Sequence, residues 1–536
     1  MKFLKTYYPE IIVFGVILTI LLIDAAPAFT WMNTDSDGVH YIYSAKYFYP
    51  AHKGSVPLYL LLGHVFLWIP FGTEFWRMAL ISVFSGLVAC IFIYLIIRMK
   101  VQNRYYGLIG ALIYGGSALA ISQNTIVESY PLVTCVCLAI YYFCLKEKWL
   151  TASILIGVAG AIHPTAMLVI VPMLIAYKPL RSWKRLGIMA LFILFYLYIP
   201  ITNRPPYMWN TPNSEGMLGF LNDSTSTATM LSGGLAIMDL PKRFLDAAGL
   251  FLLNVAVIGI IPLIFAFKNR NWWKTLLFWL VVIPTGYYII NLAPQTYVYV
   301  QPSIAFGAIA IGIGLTKVNR KLVLATASCA IILLGFNGYY FDIGKNLDPN
   351  LSATKYYYEE LPKVKDGEIL MPQYGWEWAA IYLYNANENR QIVPVCVDTL
   401  ISPDYQKMLT EQGVKFDDNY DIDRLRRQNH IALSIVESND NVWTTQGTDI
   451  ATYGCEVVLA KGNNDLFYKI PTEPPGQWHF SPSNPYDIIT GSIEVGEWKF
   501  ITLSNHNAFF FMSLLIYAFG LAYFLIKLGK RNRIKE

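Results

Sequence analysis

The sequence predicts a polytopic, all-α membrane protein of about twelve transmembrane helices with one small extracytoplasmic α/β domain. Three observations predict this fold class. Of the 536 residues, 55% are hydrophobic and only 14% are charged, and the mean hydropathy is +0.40. Apolar runs close to the ~20 residues that a helix needs to cross a bilayer recur along the chain. Basic residues fall on alternate loops, and acidic residues concentrate in one segment near the C-terminus.

The apolar runs give the individual spans. They lie at 10–27, 74–97, 105–122, 131–145, 149–162, 164–177, 186–202, 244–267, 272–291, 298–316, 322–341 and 507–527. A further apolar stretch, Leu58–Pro70, is about thirteen residues long, which is short for a span and suits an interfacial or re-entrant helix. A short tilted span is the alternative. The run Ile11–Ile23 also has the length of a signal-peptide core, but we interpret it as a retained anchor.

The distribution of basic residues orients these spans. With the N-terminus in the cytoplasm, the inner segments hold 22 Lys and Arg and the short outer loops hold 6, as the positive-inside rule requires. Counting Leu58–Pro70 as a span would move Arg98–Arg104 outside and reverse every later loop. The orientation therefore predicts a membrane domain at 1–341, an outer domain at 342–505, and a last span with a basic cytoplasmic tail at 506–536.

The outer domain differs in composition from the rest of the chain. It holds 24 Asp and Glu against 13 Lys and Arg, which we interpret as an ordinary solvated surface. Its predicted strands are DGEILMP, RQIVPVCV and HIALSIVES, its predicted helices are WEWAAIYLYNA and PDYQKMLTEQG, and EVVLAKGNNDLFYKI is predicted to be a hairpin. Alternation of strand and helix predicts a small α/β domain.

The chain lacks the sequence motifs of several classes of enzyme. The chain has no Walker A sequence, no Rossmann glycine pattern, no GxSxG and no CxxC. An enzymatic function therefore does not depend on ATP, on a dinucleotide or on a serine nucleophile. We expect membrane lipids among the partners and no nucleic acid.

Seven polar residues mark a candidate site at the outer ends of the spans. They are Asp35, Asp37, His52, Glu128, Tyr130, His163 and Arg204. Carboxylates are costly next to hydrocarbon, so their presence there indicates a use. A partly desolvated carboxylate gains basicity and suits the removal of a proton from a hydroxyl. The pattern predicts a site where a lipid-borne substrate meets a polar one.

Each of these residues also has a simpler interpretation. Asp35 and Asp37 could hold a divalent cation through their oxygens, or they could belong to a turn. Glu128 could cap the helix that follows it, and His163 could be a turn residue. Arg204 is a suitable partner for a phosphate, although it could equally contact lipid headgroups.

With the loop PPYMWNTP at 205–212, these strings resemble a family of membrane glycosyltransferases long catalogued as a domain of unknown function. Its animal member is an endoplasmic-reticulum protein O-mannosyltransferase. The matching residues are Asp35-Ser36, Ala51-His52, Pro57-Leu58-Tyr59, Glu128, Tyr130, Leu132, His163-Pro164, Pro205-Pro206, Trp209 and Pro212. The chain departs from the pattern at Asp37-Gly38, where the family has Gly-Glu, and at Lys53–Val56, where it has Pro-Pro-Gly-Tyr. The resemblance covers roughly residues 1–230.

The resemblance implies a GT-C fold with the active site on the non-cytoplasmic face. Such enzymes take a sugar from a polyprenyl-phosphate carrier, and the first outer loop supplies the catalytic Asp. It implies Asp35 and Asp37 as catalytic residues, with Asp35 our choice of base. The implied substrate-binding residues are His52, Glu128, Tyr130, His163 and Arg204. The sugar, with mannose as a candidate, would pass to a protein, glycan or lipid hydroxyl, in a prokaryotic plasma membrane or a eukaryotic endoplasmic reticulum. No cofactor is implied, and a divalent cation stays open.

Two other classes of protein are alternatives. A transporter or flippase of a lipid-linked glycan would need polar residues deep in several spans, or inverted repeats. The span interiors are nearly free of charge, and the sequence shows no internal repeat. A non-catalytic assembly or receptor protein is the third class, and loss of the acidic pair would favour it. Asp35 and Asp37 are both present.

Overall fold

The structure of the protein is a computed structural model. In the membrane part it describes residues 2–26, 36–49, 51, 56–197, 240–255, 257–268, 271–290 and 296–347. In the outer segment it describes residues 357–358, 361–371, 375–396, 399–400, 402–418, 431–432, 434–435, 438–439 and 442–444. The hairpin predicted at EVVLAKGNNDLFYKI and the last predicted span, 507–527, lie outside these residues.

The described membrane part is helical. Its α-helices are α1 (Lys2–Ala25), α2 (Ser36–Tyr47), α3 (Pro57–Phe66), α4 (Glu74–Val101), α5 (Arg104–Gly115), α6 (Ala118–Asn124), α7 (Tyr130–Leu145), α8 (Trp149–Ile162), α9 (Met167–Ala176), α10 (Trp183–Leu191), α11 (Leu240–Asn254), α12 (Ile260–Phe267), α13 (Leu276–Ile290), α14 (Gln301–Gly314) and α15 (Arg320–Leu347). Within the described residues, four helices are long and apolar enough to cross a membrane, or five if α5 and α6 form one broken span. This supports an integral membrane protein, and the count of twelve is not confirmed.

Helix α4 is the centre of the bundle, and α1, α5, α7 and α14 pack against it. Thr73 begins it as an N-cap, because its hydroxyl oxygen accepts a hydrogen bond from the backbone N–H of Trp76 at 3.2 Å. Gln102 ends it in the left-handed conformation with φ at 57°. The 28 residues between these two signals form one uninterrupted helix.

An ion-pair cluster joins α1, α4 and α5 at the predicted cytoplasmic end. Glu10 is only 7% exposed, and its carboxylate forms an ion pair with Arg104. The Tyr94 hydroxyl donates to Glu10 Oε1 at 2.6 Å, and Arg98 donates to that hydroxyl at 3.1 Å. A buried carboxylate needs such partners, since burying it unpaired would be costly. We call these four residues the inner cluster.

The predicted span 105–122 is broken in the structure. Helices α5 and α6 meet at a bend of 68°, and side chains satisfy the exposed backbone groups of the break. The Ser117 hydroxyl oxygen accepts from Ala120 N–H at 3.0 Å, and Asn254 Oδ1 accepts from Leu119 N–H at 2.8 Å. Asn337 Nδ2 donates to the Gly116 carbonyl at 2.7 Å. The bend therefore redirects the chain from the bundle core towards residues 125–130.

Helix α3 agrees with the prediction that Leu58–Pro70 does not cross the membrane. It has 10 residues and is too short to be a span. Leu61 and Val65 are 42% and 47% exposed, and their spacing of four residues puts them on one face of the helix. An apolar exposed face on a short helix suits the membrane interface.

The outer segment contains a three-stranded parallel sheet. Its strands are β1 (Ile369–Met371), β2 (Val393–Pro394) and β3 (Val442–Thr444) in the order β2-β1-β3. Helix α16 (Gly375–Glu388) connects β1 to β2, and α17 (Pro403–Glu411) follows β2. Helix α16 packs against α2 of the membrane part. That this segment lies outside the cytoplasm stays a prediction.

The prediction of a strand at HIALSIVES is wrong. Its described residues 431–432 and 434–435 are helical, and the third strand comes later, at 442–444. Ile431 and Ile435 are both fully buried, and a spacing of four residues puts them on one helix face. β-Branched residues favoured a strand here, but the helical spacing of the apolar positions decided the structure.

Candidate active site

Asp37 lies in the first turn of α2 and is half-buried. The free N–H groups and the dipole of a helix N-terminus favour a negative charge at this position. Three other predicted site residues, Asp35, His52 and Arg204, lie outside the described residues. The geometry of the candidate site therefore rests on Asp37, Glu128, Tyr130 and His163.

Glu128 is buried at the tip between α6 and α7, where it is 1% exposed. Its Oε1 accepts hydrogen bonds from the backbone N–H of Ser129 at 2.8 Å and from the Ser129 hydroxyl at 3.2 Å. Ser82 on α4 donates to the Glu128 carbonyl at 3.0 Å. Ser129 is the N-cap residue of α7, and no side-chain capping hydrogen bond is formed there, so Glu128 does not cap the first turn of the helix. Ser129 thus holds the carboxylate, and Ser82 holds the backbone of Glu128 against α4.

His163 ends α8, and its ring faces the turn that follows. Its Nδ1 accepts a hydrogen bond from Thr165 N–H at 3.1 Å and lies 2.7 Å from the Thr165 hydroxyl oxygen. An acceptor Nδ1 carries no proton, so a neutral His163 has its proton on Nε2 and can donate from there. The contacts of Nδ1 with Thr165 agree with the interpretation of His163 as a turn residue. Its Nε2 is a potential hydrogen-bond donor.

A row of aromatic rings connects these tips to a third part of the bundle. The ring centroids of Tyr130 and His163 are 5.1 Å apart, and those of Tyr130 and Tyr299 are 5.4 Å apart. Tyr287 on α13 continues the row at 5.4 Å from Tyr299. Rings in edge or tilted contact stabilise one another, so this row holds the rings of Tyr130 and Tyr299 side by side.

The carboxylates of Asp37 and Glu128 lie close enough to the same two tyrosines for electrostatic interaction. Asp37 and Glu128 both interact electrostatically with Tyr130 and with Tyr299. Tyr41 on α2 also acts on Tyr130. The structure therefore brings Asp37, Glu128 and His163 together around Tyr130, from α2 and from two hairpin tips. Such a group offers negative charge for a proton or a cation, and hydroxyl donors for an anion.

Sequence reasoning missed Tyr41 and Tyr299. Tyr41 follows Asp37 by four residues, which places both on one face of α2, but α2 was not predicted as a helix. Tyr299 lies in a short 3₁₀ turn, Thr296–Val300, directly before α14. The string TYVYV starts the predicted span 298–316, so its position at a span end was an available signal.

A metal site is not evident in the described part of the chain. No group of three or more His, Cys, Asp or Glu residues with the geometry to hold a metal ion occurs among the described residues. Asp35 is not one of those residues. A cation held by Asp35 and Asp37 therefore remains an open proposal, which a chelator tests.

Residues 56–208, which include Glu128, Tyr130 and His163, match a class of membrane glycosyltransferases. The matching family is described as dolichyl-phosphate-mannose-protein mannosyltransferase. The resemblance to membrane mannosyltransferases that the motifs indicated is therefore confirmed over this segment. Among curated proteins, none matches the chain.

Two solved structures are similar in fold. ArnT from Cupriavidus metallidurans bound to undecaprenyl phosphate has 11% sequence identity and a TM-score of 0.46, over 74% of this chain and 94% of that chain. The oligosaccharyltransferase of Archaeoglobus fulgidus, tethered with an acceptor peptide, has 12% identity and a TM-score of 0.44. That match covers 81% of this chain and 72% of the other.

Proposed function

We propose that this protein is a glycosyltransferase that moves a sugar from a polyprenyl-phosphate carrier to a hydroxyl acceptor on the extracytoplasmic face. The observation that carries the proposal is the ring contact of Tyr130 with His163 and with Tyr299, close enough to Asp37 and Glu128 for both carboxylates to interact electrostatically with the two phenols. Two of these four residues lie in the segment that matches the mannosyltransferase family. Mannose, the sugar in the description of that family, is the first donor to test.

The reaction needs a base for the acceptor and stabilisation for the leaving phosphate. The acceptor hydroxyl gives its proton to a carboxylate of the first outer loop, while its oxygen bonds to the anomeric carbon of the sugar. The bond between that carbon and the phosphate oxygen breaks, and the polyprenyl phosphate leaves with the electron pair. We assign the base to Asp35 or Asp37, since a carboxylate within hydrogen-bond reach of the acceptor hydroxyl can take its proton.

Hydrogen-bond donors suit the phosphate side of the site. The Tyr130 and Tyr299 hydroxyls and His163 Nε2 can donate to phosphate oxygens as negative charge develops there, which is a large source of catalysis in dry sites. Arg204 and His52 are proposed to assist from their loops. Glu128 is fixed by Ser129 and is proposed to orient a sugar hydroxyl.

Two single substitutions with a matched control test the proposal. Asp35→Asn and Asp37→Asn should abolish sugar transfer, or lower it by about 10²–10⁴-fold, as expected when a general base is removed. Asp404→Asn removes an acid from the first turn of α17, so it controls for the loss of charge at a helix N-terminus. Transfer from polyprenyl-phosphate mannose to a hydroxyl acceptor is measured by mass spectrometry. Near wild-type rates in both site variants would contradict the proposal.

The flippase alternative predicts a different product. A transporter would move a lipid-linked sugar across a sealed proteoliposome and leave it attached to its carrier. The proposed enzyme releases polyprenyl phosphate and forms a new glycosidic bond only when an acceptor is present. Comparing glycans from cells with and without the protein identifies whether that acceptor is a protein, a glycan or a lipid.

A further inference from the structure

Helix α16 of the outer segment is joined to the membrane part by a three-residue polar contact. Lys46 on α2 forms an ion pair with Glu74 on α4, with 2.7 Å between Nζ and Oε1. Asn387 on α16 accepts from Lys46 through Oδ1 and donates through Nδ2 to Glu74 Oε2 at 3.2 Å. We call Lys46, Glu74 and Asn387 the latch. Each member contacts the other two, and each comes from a different helix.

Two members of the latch are partly protected from water, and the third, Asn387, is exposed. The side chains of Lys46 and Glu74 are 28% and 17% exposed. Asn387 Nδ2 also donates to the Tyr357 hydroxyl at 2.9 Å, and the Tyr357 ring packs edge-on against Phe75 at 5.6 Å. Partial burial and a third hydrogen-bonding partner make this contact stronger than an isolated surface ion pair.

A second contact gives the direction of α16 relative to α2. The rings of Tyr43 and Tyr382 lie 5.8 Å apart, one turn before the latch on each helix. The contacts therefore advance from Tyr43 to Lys46 along α2 and from Tyr382 to Asn387 along α16, so the two helices run in the same sense. The first turn of α16 accordingly lies towards the end of α2 that carries Asp37.

The latch reaches Asp37 through α2. Asp37 precedes Lys46 by nine residues, which is ~14 Å along a helix at 1.5 Å per residue. That distance excludes direct contact between Asn387 and Asp37. A helix anchored at its last turn is nevertheless restrained at its first turn, since α2 has only 12 residues.

We propose that Asn387 is a positioning residue of the transferase, through which docking of the outer segment sets the placement of α2 and of Asp37. The inference rests on the proposed function. It assigns to the outer segment an effect on the rate of the chemical step. The effect is distinct from the affinity for the acceptor, because the latch touches the helix of the proposed base.

The chemistry of an amide side chain supplies a specific test. The amide oxygen of Asn387 accepts from the cation, and its nitrogen donates to the anion. If the two charges were exchanged, a rotation of the amide by about 180° would restore both hydrogen bonds. Lys46→Glu alone puts two carboxylates side by side and should open the latch. Adding Glu74→Lys restores an ion pair that Asn387 can bridge. The rescue should be incomplete, because the second substitution puts a cation at the N-terminus of α4, where the helix dipole disfavours positive charge.

The experiment compares the full-length variants Asn387→Ala, Lys46→Glu and Lys46→Glu/Glu74→Lys. The control is Asp366→Asn, which breaks an ion pair of the same 2.7 Å length with Arg390 inside the outer segment. Transfer kinetics give kcat and the donor KM, and hydrogen exchange reports on residues 36–47. We expect the first two variants to lower kcat by about ten- to a hundredfold at unchanged donor KM, as small misplacements of catalytic groups do.

The hydrogen-exchange result separates this inference from the proposed function. We expect faster hydrogen exchange in α2 for Asn387→Ala and for Lys46→Glu. In Lys46→Glu/Glu74→Lys, exchange should slow again towards the wild-type rate. This result supports the latch even if the donor tested is wrong. Unchanged exchange in α2, or a kcat equal to that of Asp366→Asn, would overturn it. So would a failure of Glu74→Lys to rescue Lys46→Glu in both measurements.

Discussion

We predict that the loss of a single side-chain amide at the break between α5 and α6 substantially lowers the free energy of unfolding. Asn254 is fully buried, and its Oδ1 accepts the Leu119 N–H at 2.8 Å. Leu119 is the second residue of α6, so its N–H has no partner within the helix. Asn254→Ala leaves that donor buried and unpaired, which costs about 1–3 kcal/mol in the free energy of unfolding.

A matched control comes from the start of α15. There, Asn319 Oδ1 accepts the Leu322 N–H at 3.0 Å in an exposed position. Asn319→Ala removes the same kind of bond, but water can replace the lost acceptor. We therefore expect a clearly smaller loss than for Asn254→Ala. Reversible unfolding of the purified protein in mixed micelles, followed by circular dichroism, measures both values.

The two variants should also differ in activity. Helix α6 leads directly to residues 125–130, so a relaxed bend displaces Glu128 and Tyr130, whereas Asn319 lies at the other end of α15 from that region. Asn254→Ala should lower transfer at temperatures where it is still folded. An unfolding free energy equal to that of Asn319→Ala would refute the reasoning that the bend depends on this acceptor.

Three further predictions concern other parts of the chain. Tyr299→Phe removes one proposed donor to the phosphate and should lower transfer by roughly tenfold to a hundredfold without changing the melting temperature, since a hydrogen bond to a charged group contributes about 1.5–3 kcal/mol. Glu10→Gln removes the charge that pairs within the inner cluster, and its unfolding free energy should fall more than that of Asp366→Asn, whose ion pair is exposed. The Gln391 backbone N–H and the Arg390 guanidinium lower the pKa of Asp366 below its ordinary value of 3.8. The stabilisation from Asp366 is therefore complete above pH ~4 and lost as the pH falls through the lowered value, and acid titration of unfolding in wild type and Asp366→Asn measures it.

The sequence predicted the class of fold, because hydropathy and charge bias are strong local signals. Its motifs indicated a family resemblance over roughly residues 1–230, and the family match covers residues 56–208 of that range. It also identified Glu128, Tyr130 and His163, which lie near one another in the structure. It did not predict the bend after Gly115, because residues 105–122 form one apolar run. The polar groups that satisfy this bend, Asn254 and Asn337, come from helices far along the chain.

The contact between α16 and α2 was equally hidden from sequence reasoning. Lys46, Glu74 and Asn387 each resemble ordinary surface residues, and their partnership depends on three helices meeting. Tyr299 was missed for the same reason, since it reaches Tyr130 across the bundle. Local patterns identify candidate residues, but the selection among them depends on contacts between distant parts of the chain.

Helix α4 connects the two leaflets mechanically. Its 28 residues extend about 42 Å, against a hydrocarbon core of about 30 Å. Glu74 of the latch is its first residue, and Tyr94 and Arg98 of the inner cluster lie near its last turn. A single helix resists bending. A thinner or thicker bilayer that tilts α4 would therefore also displace Glu74 and the latch.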